Sequence, residues 1–100
     1  MIVELDITFN ENEKKLLMEY SDIDIKLFVQ TDKLLFSKII NGEECFEIIG
    51  NPRRMIGVGG LYLLEIDDEP NEWYMGDMIK DFTYVFWGNY GNLDTALNSL

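Results

Sequence analysis

Carboxylates are the main chemical resource of this sequence, and they gather most densely at Asp67, Asp68, Glu69, Glu72 and Asp77, interleaved with Trp73 and Tyr74. Such a group can trade protons as an acid–base pair, ligate a hard cation, or pair with the lysines and arginines of another molecule. Glycoside chemistry by paired carboxylates needs a sugar cleft, and a sheet domain of 100 residues offers little volume for one. Calcium binding fares no better, because the run lacks the alternating ligands and central glycine of an EF-hand loop. The chain has no histidine, so the commonest general base and the commonest transition-metal ligand are both missing.

Two further features invite chemistry and then withdraw it. Cys45 stands between Glu44 and Phe46, with Glu47 close by. Neighbouring carboxylates raise a thiol's pKa where a nucleophile needs it lowered, so an inert, partly buried thiol is expected. Gly57-Val58-Gly59-Gly60 has the glycine content of a phosphate cradle, but no Lys-Ser or Lys-Thr pair follows and the next element reads as a strand. The expectation is a binding protein that is not an enzyme, with no cofactor and no metal.

The remaining use of Asp67, Asp68, Glu69, Glu72, Trp73, Tyr74 and Asp77 is partner binding. Tryptophan and tyrosine anchor protein interfaces, and carboxylates around them steer a basic partner. The competing reading puts Trp73 and Met75 on the core face, with the acids solvating a turn. Trp87 and Tyr90 read as packing residues.

Nineteen acidic against eight basic side chains give a net charge of -11. That field repels phosphate backbones and anionic lipid, which disfavours nucleic acid and membrane as partners and favours a basic protein; solubility alone is the other use for such charge. An apolar fraction of 47% supports one packed core and argues against disorder, so residues 1–100 are expected to form a single domain, monomeric when free. One cysteine cannot make an internal disulfide, and neither a signal peptide nor an apolar run of membrane-spanning length is present, so a cytoplasmic location is expected.

The elements that must position these residues are mostly strands. Val3, Leu5, Ile7 and Phe9 alternate with polar residues, as do Ile23, Ile25, Leu27 and Val29, which is the period of a half-buried strand. Between them, residues 11–20 fit either a helix capped by Asn10 or a turn followed by a short strand. Thr31-Asp32-Lys33 reads as a turn. Asn41-Gly42, flanked by residues 34–40 and 43–49, carries the strongest local signal, a two-residue hairpin. One proline and four glycines between Gly50 and Gly60 predict a flexible loop. Residues 61–66, 72–79 and 82–87 then read as an antiparallel meander joined by residues 67–71 and 80–81. Asn92 caps a closing helix whose Leu93, Ala96, Leu97 and Leu100 share a face. The expected fold is α+β, mainly β: a curled antiparallel sheet or half-barrel of roughly six to seven strands with a short C-terminal helix packed against it.

Residues 61–68, 72–76 and 84–97 also carry a resemblance: Tyr84-Val85-Phe86-Trp87-Gly88-Asn89-Tyr90-Gly91-Asn92-Leu93-Asp94-Thr95-Ala96-Leu97 resembles the strand, polar turn and Leu-x-x-Ala-Leu type helix that end small immunity proteins of bacterial polymorphic toxin systems, contact-dependent growth inhibition among them. The resemblance implies a cytoplasmic antitoxin that occludes the active site of a cognate basic toxin, commonly a nuclease. It transfers no individual site residue. Rival readings are an acidic inhibitor of another nucleic-acid enzyme that mimics a polyanion, and a small non-catalytic subunit of an oligomer.

Overall fold

A computed structural model describes residues 1–100. The strands are β1 (Ile2–Glu4), β2 (Ile23–Ile25), β3 (Phe28–Gln30), β4 (Leu34–Ile40), β5 (Glu43–Ile48), β6 (Pro52–Val58), β7 (Leu61–Ile66), β8 (Trp73–Lys80) and β9 (Thr83–Tyr90). Two helices, α1 (Glu11–Leu17) and α2 (Leu93–Asn98), complete the fold, with a 3-10 turn at Thr31–Lys33. Seven strands form one open, curled sheet in the order β2-β6-β7-β8-β9-β4-β5, and β1 pairs with β3 alone. The expected curled sheet with a packed C-terminal helix is what forms. One pairing departs from the expected antiparallel pattern: β4 runs parallel to β9, with Leu34 opposite Tyr84 and Phe36 opposite Phe86. That pairing hangs the β4–β5 hairpin on the far side of the meander from β6.

Alternation along the central strands sends side chains to two clusters on opposite faces. Ile56, Val58, Leu63, Trp73 and Met75 meet Leu17 of α1 and Leu93, Ala96 and Leu97 of α2 on the helix-covered face. Met55, Leu64, Tyr84 and Phe86 meet Leu5, Val29 and Leu34 on the other. No helix is long and apolar enough to cross a membrane.

Both helices begin at an asparagine cap. Asn10 Oδ1 accepts from the Glu13 amide at 2.8 Å, and Glu13 Oε1 accepts from the Asn10 amide at 2.9 Å. This reciprocal capping box satisfies two amides that the first helical turn leaves without partners, and it decides residues 11–17 as helix. Asn92 Oδ1 does the same for the Thr95 amide at 2.7 Å. Leu100, expected on the buried face of this helix, lies beyond its end and is exposed.

The predicted loop at residues 50–60 is a strand. Pro52 opens β6, where its missing amide costs no ladder bond, and the register shifts between Pro52 and Arg54. Gly57 sits within the strand because the Tyr62 ring packs on it: a Cβ there would stand 3.1 Å from the ring. Gly59 and Gly60, at φ of +58° and +91°, form the two-residue turn into β7. Punctuating residues here shape a strand and its hairpin in place of a flexible connector.

The two N-terminal alternations are each broken as well. Beyond Glu4 the chain leaves β3, so Leu5 and Phe9 enter opposite clusters while Ile7 is exposed. The segment from Ile23 to Val29 splits at Lys26, with β2 pairing to β6 and β3 to β1. At the other end, Phe82 lies in the β8–β9 turn, and Gly88-Asn89-Tyr90 continues β9 past a bulge opposite Met75 and Gly76.

Candidate protein-interaction site

The sequence-predicted site residues separate into four environments. Asp67 and Asp68 are exposed in the β7–β8 turn, with Glu69 and Glu72 half-buried beside them. Trp73 is 1% exposed within the helix-side cluster, so it is a core residue and offers no anchor to a partner. Tyr74 points to the other face, where Phe36 stacks edge-on against it at 5.3 Å between ring centres. Asp77 lies roughly 17 Å along β8 from Glu72, by the rise of five strand residues, and is exposed.

Within the turn the acids are held by neutral donors. The Tyr74 hydroxyl donates to Glu69 Oε1 at 2.8 Å, and the side-chain amides of Asn51 and Asn89 reach Asp68 and Glu69 at 3.4 Å. The Glu72 carboxyl beside it and the Tyr74 hydroxyl hold Glu69 below its ordinary pKa, and the proximity of Glu69 raises that of Glu72. Burial, then the bond to Glu69, pushes the Tyr74 phenol up to about 12. None of these four turn carboxylates has a lysine or arginine partner, and neither does Asp77; the acids that do are Asp6, Glu11, Glu13, Asp24, Asp32, Glu47 and Glu65, with Asp32 paired to the terminal amine.

One cation meets its acids in the interior. Arg54 makes two bonds to Glu13, at 2.8 and 2.9 Å, and two to Glu65, at 2.6 and 3.1 Å, and it donates to the Thr8 carbonyl at 3.0 Å. The Phe9 and Trp73 rings lie 4.8 and 5.2 Å from its guanidinium. Burial opposes ionisation of Glu13, but its Arg54 and Asn10 hydrogen bonds outweigh that and leave its pKa below the usual carboxylate range. No buried side-chain polar atom goes unpartnered. This network is structural, and it joins α1 to β6 and β7.

The largest unexplained feature is apolar. The helices cover the sheet over β6, β7, β8 and the Tyr90 end of β9, while the same face over β4, β5 and the first part of β9 carries no helix. Cross-strand partners share a face, and the pairs Leu35 with Ile48, Ser37 with Phe46, Ile39 with Glu44, Leu35 with Val85 and Asp77 with Val85 therefore lie on that uncovered side. Ile39 is 71% exposed, Phe46 51% and Ile48 65%. Trp87, two residues on from Val85 and unpaired at the bulge, is also 51% exposed, against the expectation that it packs; Tyr90 does pack against the helix-side cluster. Glu44 and Asp77 edge this surface, whereas the shallow depression beside Asp68, lined by Phe36, Lys38, Glu47 and Tyr74, opens on the opposite face.

Exposed apolar surface of this kind makes the face the candidate interaction site. Of the predicted site residues, only Asp77 belongs to the face itself, while Asp67, Asp68, Glu69 and Glu72 stand off at the turn. The residues missed, Ile39, Phe46, Ile48 and Trp87, had a legible signal in Leu34-Leu35-Phe36 and Ile39-Ile40, where β4 is apolar at successive positions and therefore on both faces. Comparison with known proteins finds no family model, no curated protein and no solved structure that matches this chain.

Proposed function

We propose that this chain is an immunity protein, an antitoxin that binds a cognate basic toxin and occludes its active-site surface, with a nuclease the toxin class that suits it best. The observation that carries the reading is the bare sheet face of Ile39, Phe46, Ile48 and Trp87, edged by Glu44 and Asp77, on a chain of net charge -11. An enzyme that grips polyanions presents a cationic surface, and the long-range field of this protein draws that surface in. Contact then buries the aromatic and aliphatic side chains, which supply the lasting affinity, while the rim carboxylates pair with the partner's lysines and arginines.

The test is co-expression with the product of the adjacent gene in a bacterial host, scored by growth and by association kinetics. Growth should be rescued, and association should slow as salt rises, because the screening length contracts. The variant Phe46→Ser with Trp87→Ser should fold normally yet lose about tenfold or more in affinity. A neighbouring product that is neither toxic nor bound at roughly micromolar concentration contradicts the assignment.

A further inference from the structure

Lys26 and Lys33 are out of character with the rest of this acidic surface, because both line a single cavity of ≈ 460 Å³. Its apolar wall is built from Ile25, Leu27, Phe28 and Phe82, with the buried Tyr84 beneath. Asp24 is the one carboxylate among the lining residues. Two ammonium groups against one carboxylate make the groove locally cationic in a chain of net charge -11. The volume falls in the range of small-molecule sites, and mostly apolar walls with a few converging polar groups are how such sites are made.

Each ammonium is positioned and only partly used. Lys26 Nζ bonds Asp24 at 3.2 Å and lies 5.8 Å from the centre of the Tyr62 ring, while its side chain is 22% exposed. Lys33 Nζ donates to the Asp81 carbonyl at 2.9 Å, which ties it to the β8–β9 turn. An ammonium carries three donors, so both retain capacity for an anion. The turn itself is unusual: Asp81 and Phe82 take φ of +35° and +62° in a two-residue hairpin connection where asparagine and glycine are the comfortable choices. A bulky residue in that backbone region is strained, and here the strained residue is a phenylalanine, 67% exposed, that forms part of the groove.

We infer that this groove binds a small amphiphilic anion, an aliphatic body with a single carboxylate head, with the body on the apolar wall and the head against Lys26 and Lys33. Its charge preference is opposite to that of the toxin-facing surface, so the site stands or falls independently of the antitoxin reading.

Calorimetric titration of the whole chain with decanoate, decanol and decyltrimethylammonium, each below its micellar concentration, tests this. Decanoate should bind saturably at one site, at least about tenfold more tightly than the neutral or cationic chain. Equal affinity for all three, or no saturable decanoate binding at about millimolar concentration, overturns the inference. Lys26→Gln with Lys33→Gln should weaken decanoate about tenfold. Phe82→Gly should melt no lower than the wild type, because glycine relieves the backbone, and should still weaken decanoate. Decanoate affinity unchanged in both variants overturns the assignment. Co-sedimentation with phosphatidylglycerol vesicles in the absence of decanoate binding also overturns it, since the lysines would then serve a lipid surface.

Discussion

One face of one sheet is treated in two different ways. Over β6, β7 and β8 it is roofed by two helices, and even the charged residues beneath them, Arg54, Glu13 and Glu65, are buried with every polar atom partnered. Over β4, β5 and the first part of β9 the same face has no roof, and Ile39, Phe46, Ile48 and Trp87 stand in solvent. Burying charge is costly and is tolerated where it ties elements together; exposing apolar surface is costly and is tolerated where something else is meant to cover it. The covered half holds the fold together, and the open half is free to serve binding.

Substitutions should divide along that line. The largest loss should follow Arg54→Met, which leaves Glu13 and Glu65 buried without their cation: about 3–5 kcal/mol, read by chemical denaturation. A loss below about 1 kcal/mol would mean that the network adds little to the covered half.

Glu13→Gln comes next, at about 2 kcal/mol near neutral pH, because glutamine keeps the capping box but gives up the charged bonds to Arg54. Glu13 has a depressed pKa in the folded protein, so its stabilisation is present above the unfolded value of 4.5 and fades as pH falls through the folded one. Denaturation at a series of pH values should therefore show wild type and variant converging in acid. A gap that stays constant from neutral to strongly acid pH would deny the charge any role.

The smallest effect belongs to the open half. Ile39→Ser and Phe46→Ser should each change stability by no more than about 0.5 kcal/mol, and light scattering should find wild type and variants alike as monomers. A stable homodimer that dissociates on Phe46→Ser would mean that a second copy covers the face.

Elements whose signals are local were readable in the sequence. Asn41-Gly42 sets its hairpin through positive φ at both residues, and Asn92 with the Leu93, Ala96, Leu97 spacing sets the last helix. Asn10 was readable only as a possible cap, and residues 11–20 stayed open between helix and strand until the reciprocal bond from Glu13 decided them. What was not readable depends on partners distant in the chain. Gly57 belongs in a strand because the Tyr62 ring lies over it, and Arg54 can be buried because α1 delivers Glu13 to it. Glycine and arginine in sequence argue for loop and surface until those neighbours are known. The two tryptophans were interchanged for a related reason: Trp73 and Trp87 are alike as residues, and only the helices over one half of the sheet separate a core tryptophan from an exposed one.

That separation also supplies the most direct measurement. Trp87 is the exposed one of two tryptophans, so acrylamide should quench it readily in the free protein while Trp73 resists. In a saturated complex with the adjacent gene's product, Trp87 should become as inaccessible as Trp73. A complex in which Trp87 quenches as readily as before would place the partner elsewhere and contradict the assignment of the open face.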